Sequence, residues 1–290
     1  METLLGHTLP DPTTPFGEAW AVSDRPEAQS LTPDGLTLHE LWTKHRAKVF
    51  GANAPTCARF PLLMKIIDAC DDLSIQVHPP AEKAAVLNGE PKTEMWFIAQ
   101  ADPGAKIYAG LKPGVTRADF EKALQNGTVA DLVHVITPRT GDCLFIPSGR
   151  VHAIGAGLLI YEIQQNSDTT YRVFDWNRAG LDGKPRALHV RESLQSIDFD
   201  DFAPQTQRIE ADGTLVRCAH FTVRLCDHSR IAGQPGECVT LAVVGGEISV
   251  GGMNLKAGDF ALVPACLDEK ARELKPLKID SQWLEIRIPA

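Results

Sequence analysis

GDCLFIPSGRVH, residues 141–152, holds a short apolar run between two groups of turn-forming residues. An apolar run of four residues flanked by glycine, aspartate and proline is typical of a β-strand bounded by turns. The frame G-D-x-x-x-x-P returns at residues 258–264 as GDFALVP. Because the same frame occurs twice, the sequence predicts an internal repeat. The first copy leads to His152, whereas the second continues as ACLD without a histidine. One half is therefore predicted to carry chemistry that the other lacks.

Short apolar or alternating runs make up most of the remaining chain, among them LSIQVH, EMWFIAQA, LLIYEIQQ and CVTLAVVGGEISVGG. Glycine, proline and aspartate interrupt them every 8–12 residues or so, which predicts a mainly β protein of the sandwich or jelly-roll kind. Residues 116–127 and 81–89 are predicted as short helices, the first with a cap at Thr116 and Asp119.

The polar stretch at residues 196–213 is the best linker candidate between the two halves. We therefore predict one domain over residues 1–204, with short helical insertions, and a second over residues 205–290.

Composition excludes several classes of protein. The chain has 290 residues and a formal net charge of -8, a balance that disfavours nucleic-acid binding. No apolar run approaches the roughly 20 residues of a membrane span, and no secretory signal is visible at the N-terminus. Seven scattered cysteines without a CxxC pair argue against a disulfide framework and against a cysteine zinc site. We expect a cytoplasmic protein that binds neither nucleic acid nor membrane.

Two imidazoles, a carboxylate and an amide are the candidate metal ligands. On a strand, alternation places Gln76 and His78 on one face, and Glu94 begins another predicted strand. His152 follows the glycine and proline turn. Nitrogen and oxygen ligands of this kind suit Zn²⁺ or a similar divalent cation and leave room for water or substrate. Each residue alone has an ordinary structural explanation, and the prediction depends on their combination.

Five segments resemble the type I mannose-6-phosphate isomerases, a family of the cupin superfamily, in the order and spacing of its shorter bacterial members. They are PFGEAWAVSD, LSIQVHPP, KTEMWF, PSGRVHAIGAG and YEIQQNSDTTYRVFDWNR. The resemblance covers most of residues 1–190 strongly. It implies two cupin-type jelly-roll β-barrels, a catalytic metal-binding one in residues 1–204 and a metal-free one in residues 205–290. The chain departs from the second cupin motif at Ala156, where asparagine is usual.

Residue by residue, the resemblance implies specific roles. The metal ligands would be Gln76, His78, Glu94 and His152. The catalytic residues would be Arg172, Lys92 and Glu162, and the substrate-binding residues would be Ser74, Lys92, Arg172 and Arg178. The residues between the motif glycine and His152 vary among relatives, so Arg150 receives no role.

The implied activity is an aldose–ketose isomerisation of a hexose phosphate, mannose 6-phosphate to fructose 6-phosphate, through an enediolate. One Zn²⁺ per chain would act as a Lewis acid, although other divalent metals would fit the same ligands. Lysine and glutamate are candidates for proton transfer, and the sequence does not identify the base. Two alternatives stay open: an iron-dependent dioxygenase, and a sugar-phosphate-binding protein without turnover. The oligomeric state is also left open.

Overall fold

The fold was analysed in a computed structural model that describes residues 16–179 and 183–289. Residues 1–15 and 180–182, which fall in the predicted first domain, and residue 290 lie outside the described residues. The chain forms two compact units. The central unit is Ile67–Thr206, and the split unit combines Met1–Ile66 with Gln207–Ala290. The assignment of residues 1–204 and 205–290 as two functional domains stays a prediction.

Strand β4 (Leu62–Ala69) crosses the boundary between the two units. The strands that lie wholly in the central unit are β5 (Ile75–Val77), β6 (Glu94–Ala101), β7 (Ile107–Leu111), β8 (Val133–Ile136), β9 (Cys143–Ile146), β10 (His152–Ile154), β11 (Leu158–Gln165) and β12 (Tyr171–Phe174). Within this unit β11, β6 and β9 are neighbours in one sheet, and the second sheet has the order β12-β5-β10-β7-β8. Buried aliphatic and aromatic side chains from both sheets form the apolar core of the unit.

The split unit begins with three strands and continues with nine more after residue 207, counted over its described residues. They are β1 (Glu18–Val22), β2 (Asp24–Arg25), β3 (Ala28–Gln29), β13 (Thr214–Arg217), β14 (Thr222–Cys226), β15 (Arg230–Ile231), β16 (Val239–Gly245), β17 (Glu247–Val250), β18 (Met253–Lys256), β19 (Phe260–Val263), β20 (Glu273–Pro276) and β21 (Gln282–Arg287). Two sheets, β13-β14-β21-β16-β19 and β15-β20-β17-β18, enclose a second apolar core, and β2 pairs with β3.

The prediction of a mainly β chain with two cupin-type jelly rolls is confirmed, and so is the internal repeat. Strand β9 follows the first G-D frame and pairs with β6, while β19 follows the second and pairs with β16. In the sheet order, the other neighbour of β6 is β11, and the other neighbour of β16 is β21. The two halves thus place the repeated frame at the same position in the same kind of sheet.

Five short helices accompany the strands of the described chain: α1 (Leu38–Lys44), α2 (Arg46–Val49), α3 (Ala81–Ala84), α4 (Arg117–Asn126) and α5 (Val190–Ser196). Two 3₁₀ turns cover Val129–Leu132 and Lys270–Arg272. The predicted helix at residues 116–127 is confirmed with its capping box. The helix predicted over residues 81–89 ends earlier, at Ala84. The sequence also contained a signal for α1, because Thr37 and Glu40 form a second capping box.

A buried carboxylate holds the N-terminal part of the split unit together. Asp24 is fully buried and accepts hydrogen bonds from the Phe60 backbone N–H at 2.8 Å, Arg59 Nη1 at 3.1 Å and Gln29 Nε2 at 2.9 Å. The Nδ1 atom of His39 lies 3.1 Å from the same carboxylate. Burial raises the pKa of Asp24, but its hydrogen bonds outweigh that effect and hold the pKa below its usual value.

We expect Asp24→Ala to destabilise the protein by about 3 kcal/mol, because the buried Phe60 N–H and three side chains would lose their shared acceptor. Urea unfolding followed by circular dichroism should show a lower midpoint. Asp34→Ala is the matched control, since Asp34 is exposed and its side chain contacts the Thr32 hydroxyl at a surface turn. Equal midpoints for the two variants would contradict the role given to Asp24.

Candidate metal centre and active site

Three strands of the second sheet of the central unit place polar side chains in one row. Arg172 on β12 lies directly opposite Gln76 on β5, and Gln76 lies opposite His152 on β10. Residues that are directly opposite in antiparallel strands project from the same face of the sheet. The row Arg172–Gln76–His152 therefore points to one side of the sheet.

The other sheet presents a second set of polar groups. Glu94 on β6 is opposite Gln164 on β11, and Trp96 is opposite Glu162. All four side chains are almost fully buried. The period of two along each strand puts Glu94 and Trp96 on one face together with their partners.

Glu94 joins the two histidines in a buried group. Its Oε2 atom lies 3.5 Å from Nε2 of His78, and its Oε1 atom lies 3.5 Å from Nε2 of His152. The ligand atoms of the three residues all lie within 4.8 Å of one another. Gln76 extends the group, because its Nε2 atom is 3.3 Å from Nε2 of His152.

The two imidazoles are oriented by backbone carbonyls. Nδ1 of His78 is 2.8 Å from the Thr169 carbonyl oxygen, and Nδ1 of His152 is 2.9 Å from the Arg150 carbonyl oxygen. A carbonyl can only accept, so each Nδ1 carries the proton and each Nε2 keeps its lone pair. Burial lowers the pKa of both rings, with that of His152 reduced to about 3. Both histidines are thus neutral at pH 7, the form that binds metals.

The group fits a divalent cation. In the described part of the chain, Nε2 of His78 and Oε1 of Glu94 are buried without a hydrogen-bond partner, while Oε2 of Glu94 pairs with Lys92. Such atoms are costly to bury unless something binds them. A half-turn of the Gln76 amide would present its oxygen at the position its nitrogen now occupies. Two neutral imidazoles, a carboxylate and an amide oxygen form a ligand set that Zn²⁺ accepts.

Lys92 lies beside this group and links the two buried glutamates. Its Nζ is 2.8 Å from Oε2 of Glu94 and 3.5 Å from Oε1 of Glu162. Trp96 Nε1 donates to the other oxygen of Glu162 at 2.9 Å. Burial raises the pKa of Glu94, but Lys92 and then His78 outweigh that effect and hold it well below its usual value. Glu94 is therefore a carboxylate at neutral pH.

Within the described ranges, the guanidinium of Arg172 has one hydrogen bond and one nitrogen without an acceptor. Its Nη1 donates to the Ala187 carbonyl at 2.9 Å, while its Nε is buried and has no acceptor among the described residues. Burial and the neighbouring Arg186 lower the pKa of Arg172 from a very high starting value. The group keeps its charge at neutral pH because an arginine begins far above that range.

The remaining predicted residues differ in their placement. Ser74 is buried two residues before Gln76, just ahead of β5. Arg178 donates to Asp71 Oδ2 at 2.7 Å and to Asp175 Oδ1 at 3.3 Å, and it also donates to the Asp72 carbonyl. These contacts hold the segment that leads into β5, and they do not join Arg178 to the histidine group.

Sequence analysis gave no role to two residues that the structure places in the site. Gln164 is fully buried opposite Glu94, and its Nε2 donates to two backbone carbonyls. The alternation Glu162–Gln164 along β11 was the signal that could have identified it. Trp96 is the second: its indole donates to Glu162, and its ring meets the His152 ring edge-on at 5.5 Å between centroids.

Arg150 holds the turn that carries His152. Its guanidinium makes two hydrogen bonds to Asp201, at 2.8 Å and 2.7 Å, and a third to the Phe145 carbonyl at 2.6 Å. The carbonyl of the same residue faces Nδ1 of His152. Arg150 therefore positions the acceptor that fixes one metal-ligand candidate, which is the role of an outer partner in a metal site.

The comparisons with known proteins agree with this geometry. Residues 1–94 match the family described as "Phosphomannose isomerase type I, catalytic domain". A mannose-6-phosphate isomerase of Bacillus subtilis is 37% identical over 283 residues, which cover 91% of this chain and 88% of that protein. One from Streptococcus mutans is 41% identical over 229 residues, covering 75% of this chain and 70% of that protein.

Solved structures give the same result. The crystal structure of the mannose 6-phosphate isomerase from Bacillus subtilis matches with a TM-score of 0.85 and 30% identity, over 99% of this chain and 94% of that one. A mannose 6-phosphate isomerase bound with zinc and yttrium matches with a TM-score of 0.74 over 100% of this chain and 95% of that one. At 17% identity the second match supports the fold alone.

Fold and site together define a cupin enzyme with a candidate metal centre inside its first jelly roll. Within that class, the chain belongs to the type I mannose-6-phosphate isomerase family, as its identity and coverage show. It is an isomerase, and the two non-isomerase alternatives are not supported.

We expect Arg150→Ala to lower the affinity for Zn²⁺ by roughly tenfold or more, because the turn before His152 would lose its anchor. Competition with a chromophoric chelator measures that affinity. Arg139→Ala is the control, since Arg139 is exposed. Arg150→Lys should restore part of the affinity by keeping one charged contact to Asp201. Unchanged affinity in Arg150→Ala would contradict the positioning role.

Proposed function

We propose that the chain interconverts mannose 6-phosphate, the sugar that its relatives' names print, and fructose 6-phosphate. The observation that carries the proposal is the position of Lys92, which is buried between Glu94 of the candidate metal centre and Glu162. A lysine and a second carboxylate next to a metal centre are the groups that a proton transfer between neighbouring sugar carbons requires.

We propose that Gln76, His78, Glu94 and His152 hold one Zn²⁺, with other divalent ions able to use the same ligands. The fit rests on Nε2 of His78 and Oε1 of Glu94, which are buried without a hydrogen-bond donor among the described residues. When bound, the cation would supply Lewis-acid stabilisation of the negative charge that develops on the sugar oxygens. The fixed ring tautomers mean that the chain does not have to reorganise these ligands.

Lys92 and Glu162 are the proposed proton-transfer groups. Isomerisation moves a proton between C1 and C2 of the open-chain sugar, by way of an enediolate. The 3.5 Å contact between Lys92 and Glu162 offers a route for that proton, and Trp96 holds the carboxylate in place by its 2.9 Å hydrogen bond. Their burial excludes bulk water, which would otherwise compete for the proton.

Arg172 is the proposed contact for the negatively charged part of the substrate. Arg172 is opposite Gln76, so its positive charge and its Nε, which has no acceptor among the described residues, lie close to the proposed metal ligands. Arginine is well suited to phosphate because its donors form a planar fork. Ser74 and Lys92 complete the proposed substrate contacts. Arg178 is proposed as a fourth, although its present partners are aspartates and a carbonyl.

We further propose that residues 1–204 act as the catalytic domain and residues 205–290 as the second cupin domain. A cytoplasmic location is proposed from the cysteines, because all seven are free thiols and three of them are exposed. Unpaired, exposed thiols are typical of a reducing compartment. The described part of the chain holds no helix long and apolar enough to cross a membrane.

The first test is a coupled assay of mannose 6-phosphate conversion on purified protein, before and after chelation and after Zn²⁺ is added back. We expect activity to disappear on chelation and to return with the metal. Fully metallated, folded protein without turnover would contradict the assigned reaction. Oxygen uptake without isomer exchange would instead indicate the dioxygenase chemistry.

Variants separate the two proposed groups. Lys92→Ala should lower kcat by about a hundredfold or more, the usual contribution of a general acid or base. Arg172→Ala should raise KM for the phosphorylated sugar. Lys83→Ala and Arg117→Ala are the controls, because both side chains are exposed on helices α3 and α4. A Lys92→Ala enzyme with unchanged kcat would exclude Lys92 from proton transfer.

A further inference from the structure

The interior face of the second jelly roll changes from apolar to charged along its length. Trp283 on β21 is opposite Cys226 on β14, and both belong to the apolar core of the split unit. Two residues further along each strand, Glu285 is opposite Arg224. Because side chains alternate along a strand, these residues point to the same interior face as Trp283.

The next row along that face ends at the mouth of the barrel. Arg287 on β21 is opposite Thr222 on β14, and Thr222 is opposite Arg217 on β13. A cavity of about 550 Å³ opens there, lined by all three arginines of these rows and by Thr222. Its volume is that of a small-metabolite site rather than of a single ion.

This cavity corresponds by topology to the metal centre of the first jelly roll. In the first G-D frame the residue before the proline is Ile146, which is opposite Glu94 on β6. In the second frame it is Val263, which is opposite Val239 on β16. Two residues later, Trp96 is opposite Glu162, and Leu241 is opposite Glu285. The second barrel therefore keeps the interior carboxylate of the first and replaces the metal-ligand candidate by valine.

Two of the three arginines around the cavity are paired with carboxylates, and the third, Arg217, is exposed at the opening. Arg287 binds the buried Glu285 and lies 3.4 Å from Glu237 Oε2. Arg224 Nε donates to the carbonyl of Asp212 at 3.1 Å. Arg217 is exposed at the end of β13.

Among the residues that line the cavity, three arginines face two carboxylates. One carboxylate, Asp212, accepts from the backbone N–H of Thr214, and the other, Glu237, accepts from that of Gln234. Both acids also pair with arginines of the cavity, Asp212 with Arg224 at 3.8 Å and Glu237 with Arg287 at 3.4 Å. An anion that enters the cavity would meet Arg217 and the Thr222 hydroxyl first, and it would compete with these carboxylates for Arg224 and Arg287.

We propose that the mouth of the second jelly roll binds a small phosphate-bearing metabolite through Arg217, Arg224, Arg287 and Thr222. Guanidinium forks and a hydroxyl match the several oxygens of a phosphate group, and no metal is needed to bind it. The site is separate from the histidine group and holds independently of the proposed isomerase reaction.

Calorimetric titration of the metal-loaded protein with orthophosphate tests the proposal. Arg217→Glu should weaken phosphate binding at this site by about tenfold or more, since a charge-assisted hydrogen bond would become a repulsion. Arg217→Lys should retain most of the affinity. Arg208→Glu is the matched control, because Arg208 is exposed in the same unit and does not line the cavity.

A second measurement locates the bound ion. Phosphate should protect Arg217 from modification by phenylglyoxal, read by mass spectrometry of its peptide, in the parent protein and in Arg172→Ala. Protection that disappears in Arg172→Ala, or equal affinity in Arg217→Glu and Arg208→Glu, would overturn the proposal. Neither readout depends on isomerase activity, so a failure here is distinguishable from a failure of the assigned reaction.

Discussion

The central constraint of this molecule is the burial of the Glu94 carboxylate. An ionised carboxylate away from water is costly unless charges and donors compensate it. Lys92 at 2.8 Å supplies one compensating charge, and the two imidazoles face the oxygens with lone pairs rather than protons. Because neutral imidazoles add no positive charge, Lys92 compensates the carboxylate among the described residues, and the lone pairs of both rings stay available to a divalent cation.

Much of this site could be predicted from sequence because it is carried by local patterns. Alternation along a strand placed Gln76 beside His78, and the repeated G-D frame identified the strand before His152 as part of a jelly roll. The same reasoning gave the capped helix α4, whose signals lie within twelve residues of each other. The backbone fixes which neighbouring side chains share a face of a strand or helix, so a single sequence is enough to predict these contacts.

The rest depends on contacts between residues that are distant along the chain. Arg178 was expected at the substrate, yet its nearest partners, Asp71 and Asp72, lie more than a hundred residues earlier. The ion pair between Arg150 and Asp201 joins residues 51 positions apart, and no sequence motif indicates it. The grouping of the N-terminal strands with residues 207–289 is of the same kind. Pairings of this type are set by the tertiary fold and not by the period of any one element.

The matched positions Glu162 and Glu285, and Glu94 and Val239, also describe how the two halves could have diverged after a duplication. Val239 lies two residues from Leu241, which is opposite Glu285, and the charge of Glu285 is already paired with Arg287 and Arg230. The strand pair that brings Gln76 to His152 in the first half brings Arg230 to Leu274 in the second. A metal centre in the second barrel would therefore need several substitutions together, so no single mutation converts one half of the chain into the other.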